Sequence, residues 1–138
     1  MRKRTRSREY ALHILYQLDI TDDKHEPAIE NFWHDRLEEN INQEVKEFTA
    51  NLVSGVAVNS EEIDKKIVQY ATNWQLERMA VIDRNILRMG CFELLFCDDI
   101  PPKVSINEAV DLAKKYSGLE AGKFVNAILD KVNIEKNK

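Results

Sequence analysis

The stretch from Trp74 to Cys97, WQLERMAVIDRNILRMGCFELLFC, constrains the chain most, because it offers an apolar residue at nearly every angle a helix can present. At about 100° per residue, Ile82, Ile86, Met89 and Phe96 fall on one side, and Leu87, Cys91, Leu94 and Leu95 on the other. Val81 and Phe92 close the gap. A helix that is apolar all round is either buried or membrane-spanning. Asp83, Arg84, Arg88 and Glu93 interrupt this one. No run of about 20 uncharged residues exists, so the membrane reading fails. The stretch is expected to be the central helix of a soluble helical domain. Arg84 and Arg88, one helical turn apart, share a stripe that faces either a solvated slot between packed neighbours or a partner. Gly90, which costs about 1 kcal/mol against Ala in mid-helix, suggests close approach by another backbone.

Helical spacing continues on both sides of this stretch. A first helix is expected from Thr5 to Leu18, with Ala11, Ile14, Leu15 and Leu18 inward and Arg8, Leu12 and Tyr16 along one border. Arg2 to Arg6 would overhang it as a flexible cationic arm. Pro27 suits the first turn of a second helix, whose core side is Ile29, Phe32, Trp33 and Leu37. Asn42 can cap a third, with Val45, Phe48, Leu52 and Val56 inward, and Asn59 and Ser60 break it and start a fourth carrying Ile63, Ile67 and Tyr70. Beyond the central helix, Pro101 and Pro102 force the chain out of helix. Ser105 with Glu108 reads as the capping box of a sixth helix. Ser117-Gly118 ends that helix, and Phe124, Val125, Ile128, Leu129 and Val132 make a seventh amphipathic. The tail after Asn133 is polar and expected to fray. No stretch alternates as a strand does, so the expectation is an all-α protein of seven helices.

The 138 residues suffice for one domain with a real core and no staples. Cys91 and Cys97 would sit about 9 Å apart along one helix, too far for a disulfide, and read as buried thiols of a reducing compartment. No apolar segment follows the basic N-terminus as a signal peptide requires, which favours the cytoplasm. Net charge is −4, yet the charges are segregated. Residues 1–8 hold five bases (Arg2, Lys3, Arg4, Arg6, Arg8) and no acid, whereas residues 19–47 hold ten acids and three bases. An acidic protein with one basic end points to a local anionic partner. Aromatic plus arginine is the chemistry of single-stranded nucleic acid, where a ring or guanidinium stacks on a base and charge meets phosphate. The plainer alternative is a solubilising terminus with Tyr16 half-buried.

Nothing indicates catalysis or a cofactor. The four glycines are scattered singly, so no phosphate loop exists, and His13, His25 and His34 lack metal-ligand spacing. The protein is expected not to be an enzyme.

A set of motifs in register is more specific than any of these patterns alone. LVSGV (52–56), ID (63–64), W…R…IDRNILR (74–88), FEL (92–94), P…VSINEAVDLAKKY (101–116) and KFVNAILD (123–130) resemble the NusB family of transcription antitermination factors. The likeness covers roughly residues 4–131. It implies an all-α fold of two small helical bundles within one domain, here residues 1–59 and 60–134. It also implies binding of the boxA element of nascent ribosomal RNA together with the ribosomal protein NusE, within an antitermination complex on RNA polymerase. By match to the family's RNA surface, Lys3, Arg4, Arg6, Arg8 and Tyr16 inherit RNA contact, as do Lys123 and Phe124. Tyr70, Glu77 and Asp83 match its protein-partner surface. Two departures bear on affinity: Asn126-Ala127 stands where Asn-Gly is usual, and Thr5 occupies a position often basic in relatives. Self-association of the free protein stays open. The alternatives are a helical protein–protein adaptor and a stand-alone relative of the NusB-like domain fused to ribosomal-RNA methyltransferases.

Overall fold

Seven α-helices form in the order expected, and among the described residues there is no strand. The computed structural model describes residues 2–71 and 75–138; Trp74, the expected start of the central helix, lies outside them. The chain divides into two units, Met1–Val58 and Asn59–Lys138, each with its own core.

The first unit contains α1 (Lys3–Thr21), α2 (His25–His34), a 3-10 turn (Leu37–Glu39) and α3 (Gln43–Val58). Helix α1 stops where Asp22 turns left-handed at φ 59° and its N–H reaches the Leu18 carbonyl at 2.8 Å. Its inner face of Ala11, Leu12, Ile14 and Leu15 is at most 4% exposed, and it packs chiefly on α3. The helix starts earlier than its apolar pattern, because polar groups fix its first turns. Ser7 and Thr49 are fully buried: the Ser7 hydroxyl donates to the Val45 carbonyl at 2.9 Å, and the Thr49 hydroxyl lies 2.7 Å from the same oxygen. The expected flexible arm is therefore corrected. From Lys3 onward the cations stand on helix docked to α3. Leu37 is a second correction. Helix α2 ends at His34, the register from Trp33 lapses in the turn, and Leu37 is 67% exposed. Asn42 caps as anticipated, its Oδ1 accepting the Glu44 N–H at 2.8 Å.

The second unit contains α4 (Ser60–Tyr70), a 3-10 turn (Leu76–Arg78), α5 (Val81–Phe96), α6 (Pro102–Ser117) and α7 (Leu119–Lys136). Helix α5 packs on α4, α6 and α7, as a helix with apolar residues on every side must. It is shorter than expected. Arg84 Nη1 reaches the carbonyls of Leu76 and Glu77, oxygens that a continuous helix would give to the N–H groups of Ala80 and Val81. Met79 and Ala80 are extended instead, and α5 begins at Val81. At its far end Phe96 is 40% exposed, stacked on Phe92, rather than enclosed. Gly90 does admit a close neighbour, but a side chain: a Cβ there would lie 2.6 Å from Leu129 Cδ1 of α7.

Several charged groups inside this unit are tied to polar partners. Arg88 grips Asp64 of α4 with two nitrogens, at 2.9 and 3.2 Å, and donates to Asn85 Oδ1 at 3.2 Å. Arg88 thus holds two helices of its own unit together. Glu93, 2% exposed, accepts the Ser105 hydroxyl at 2.9 Å. That bond explains why Ser105 is no capping residue. Pro102, whose missing N–H costs nothing at the first helical position, starts α6, and Ser105 turns inward from its second turn. The tail is corrected as well. Helix α7 runs to Lys136, whose ammonium donates to the Leu94 carbonyl, and Glu135 pairs with Lys66 at 2.9 Å. Cys91 and Cys97 are free and buried, and burial pushes the Cys91 thiol up to about 12.

Candidate nucleic-acid interface

The cations of α1 do not share one face. At about 100° per residue Arg4 and Arg8, four apart, fall on one side of the helix, while Lys3 and Arg6 point elsewhere and meet different surroundings. Arg8 points inward and is 2% exposed, its guanidinium 5.4 Å from the Phe48 ring centre. Arg4 lies over the same ring at 4.4 Å from outside. Phe48, read from spacing as a core residue, is in fact the plate on which two guanidiniums rest. Buried this way, Arg8 packs α1 against α3, and an RNA phosphate has little access to it. Lys3 is exposed and pairs with Glu44 at 3.3 Å. Lys3 and Arg4 also line a cleft of about 330 Å³ with Ser7, Glu47 and Asn51.

Arg6 is exposed on a different side of α1. Tyr16, three turns along, is 38% exposed, so its ring is neither enclosed nor fully solvated. Of the residues of this unit expected to contact RNA, Lys3, Arg4, Arg6 and Tyr16 are therefore the accessible ones.

In the second unit, Lys123 and Phe124 sit in the second turn of α7. Lys123 is exposed and bridges to Glu120, three residues back, at 3.4 Å. Phe124 is half-buried and lines a cleft of about 400 Å³ together with Arg78, Met79, Asp83 and Ser117. One RNA-matched residue and one partner-matched residue thus share this cleft. Asp83 Oδ1 is buried there and accepts no hydrogen bond among the described residues. A buried acceptor without a donor costs about 1–3 kcal/mol, which an incoming N–H or O–H would relieve. Tyr70 stands at the end of α4, where Glu135 accepts its hydroxyl and raises the phenol pKa. Glu135 in turn is held down to about 2, first by the Lys66 ammonium and then by that phenol. Glu77 lies in the 3-10 turn before α5.

One cluster escaped the sequence reading. Arg36 lies 3.5 Å over the centre of the Phe32 ring and donates to the Phe32 carbonyl at 3.1 Å, beside Arg6, Tyr10 and His13. The one available signal was the spacing of residues 6, 10 and 13 along α1. Their partners come from α2 and from the turn after it, whose course no periodicity indicates. Among the described residues, no group of three His, Cys, Asp or Glu side chains is arranged to hold a metal ion, and no helix is long and apolar enough to cross a membrane.

Comparison with known proteins adds to this geometry. Residues 5–133 match the model of the NusB family. The transcription antitermination protein NusB of Anaeromyxobacter dehalogenans is 46% identical over 130 residues, which cover 94% of this chain and 89% of that protein. NusB of T. maritima superposes with a TM-score of 0.86 at 38% identity, covering 96% of this chain and 91% of that one. A chain from the crystal structure of antitermination factors NusB and NusE with double-stranded RNA superposes with a TM-score of 0.85 at 32% identity, covering 98% of both. From its motifs, its seven helices and these matches, the chain belongs to the NusB family.

Proposed function

We propose that the protein is an RNA-binding transcription antitermination factor. In this reading Lys3, Arg4, Arg6 and Tyr16 of α1, with Lys123 and Phe124 of α7, hold single-stranded RNA of the boxA type in nascent ribosomal transcripts. Tyr70, Glu77 and Asp83 meet the ribosomal protein NusE, and the pair joins the antitermination complex on RNA polymerase. The two units, Met1–Val58 and Asn59–Lys138, each contribute some of these residues. The protein acts by binding, without cofactor or catalytic step, in the cytoplasm.

The observation that carries the reading is the likeness, over nearly the whole chain, to a NusB crystallised with NusE and RNA. The local chemistry supports it. Lys3 and Arg6 are exposed on a helix anchored by Ser7, so their charge is presented from a fixed frame. Fixed cations lose less freedom on meeting a phosphate chain than a disordered arm does. Asp83 supplies a buried acceptor awaiting a donor.

The test is an RNA pull-down from cell lysate with the full chain as bait, followed by sequencing and by protein identification. Enrichment of ribosomal-operon leader transcripts, with a ribosomal protein co-purifying, is the expected result. Recovery of proteins without RNA would replace this reading with a helical adaptor.

A further inference from the structure

We propose that the cleft between α1 and α2 holds one unpaired nucleotide of the bound RNA, its base stacked on the guanidinium of Arg36 and its phosphate on Arg6. The inference rests on the RNA-binding reading above and adds a binding position within the first unit.

The cleft is about 500 Å³, room for a nucleotide rather than a simple ion. Arg6, Tyr10 and His13 project into it from successive turns of α1, and Phe32 and Arg36 form the opposite wall. Phe32 is itself 7% exposed and edge-on to Tyr10 at 5.5 Å, so its ring is a fixed support. Trp33 buttresses both rings, at 5.6 Å from Tyr10 and 5.1 Å from Phe32. The Arg36 guanidinium carbon lies 3.5 Å from that ring's centre, a separation that leaves room only for near-parallel planes, and one nitrogen is committed to the Phe32 carbonyl. A guanidinium held in a plane, with one face on a ring, offers its other face for stacking, and arginine planes are among the surfaces on which unstacked RNA bases lie. Because the side chain is already immobilised, stacking on it orders little that is not ordered in the free protein.

The charges select the ligand further. Glu9 and Glu39 also border the cleft and oppose Arg6 and Arg36, so the site is no simple anion trap. Carboxylates only accept hydrogen bonds, and the edges of nucleobases carry amino or imino donors. Exposed Arg6 suits the phosphate, while the acids suit the base edge. An acidic peptide would face both carboxylates with like charge and leave the stacking face of the guanidinium unused.

The experiment uses the full chain and a single-stranded RNA dodecamer taken from the sequences retained in the pull-down, with 2-aminopurine ribonucleotide substituted at each position in turn. In the unsubstituted protein one position should brighten as its base leaves the stack of its neighbours. Arg36→Ala should weaken binding about 5- to 150-fold, as expected for losing one stacked base, and abolish that signal. Arg36→Lys keeps the charge and the stem but not the plane. It should also lose the signal, while the dependence of binding on salt stays as it was. Should Arg36→Ala fold poorly, the lysine variant decides. RNA bound with unchanged affinity and signal by Arg36→Lys would overturn this inference and leave the RNA-binding reading standing. A protein that retains no RNA, or captures an acidic protein through this cleft, would overturn both.

Discussion

The two units enclose polar groups in opposite ways. In the first, the seam between α1 and α3 is closed by the neutral hydroxyls of Ser7 and Thr49, and most cations of α1 stay outside it. In the second, ions are built into the packing: Arg88 with Asp64, Glu93 against Ser105, Lys66 with Glu135. A hydroxyl bonded to a carbonyl does not titrate, whereas an ion pair brings pH and salt into stability. The lesson is that the charge enclosed in the helix packing of the second unit serves the fold. In the first, the charge outside the seam is available for a ligand, Arg8 being the exception.

The contrast is sharpest at Arg88. Arg88→Ala leaves Asp64 without its partner in a place only partly open to water, the two side chains being 18% and 30% exposed. Removing one member of a buried pair costs about 3–5 kcal/mol, and partial solvation lowers this to about 2–3. Chemical denaturation of Arg88→Ala, Asp64→Ala and the double variant would show the coupling as a double variant no worse than either single one. Purely additive losses would mean the pair contributes nothing to the unit.

A smaller loss is expected when residues 1–6 are deleted. The deletion removes the first turn of α1, the Lys3–Glu44 pair and the contact of Arg4 with Phe48. Exposed ion pairs contribute up to about 1 kcal/mol and cation–π contacts about 0.5–1, so the total is about 1–2 kcal/mol. It should appear as a lower melting temperature together with weaker RNA binding. Unchanged melting would show a free arm and erase the difference between anchored and overhanging cations.

The smallest effect is one of pH. Glu135 is held at about 2 against an ordinary 4.5. Its contribution is therefore present in full above about pH 4.5 and is lost as pH falls from there through about 2. Glu135→Gln should flatten that part of the stability profile. An unaltered acid limb would place the acid sensitivity in other carboxylates.

The helices themselves were legible because apolar spacing reports burial. Ile86, Leu87 and Cys91 are fully buried, as the angular pattern of the central stretch requires. What stayed hidden was set by polar groups meeting across long sequence separations. Nothing in the order of residues says that Ser7 will bond Val45, so the start of α1 was misread by two residues and its first turn as a loose arm. The capping box at Ser105 failed for the same reason, because the hydroxyl serves Glu93 on another helix. Of the candidate site, Arg4, Arg6 and Tyr16 could be picked out by residue type. That Arg8 would be enclosed, and Arg36 spread flat on Phe32, depends on how rings from other helices arrive.

The central claim, that the exposed cations of α1, with Lys123 of α7, bind RNA, is tested most directly by the salt dependence of RNA affinity. With Lys3, Arg4, Arg6 and Lys123 each meeting one phosphate, log K should fall against log salt with a slope near −3 for a single strand. Arg6→Gln should make that slope shallower by about 0.7. A slope near zero, or one untouched by Arg6→Gln, would contradict the claim.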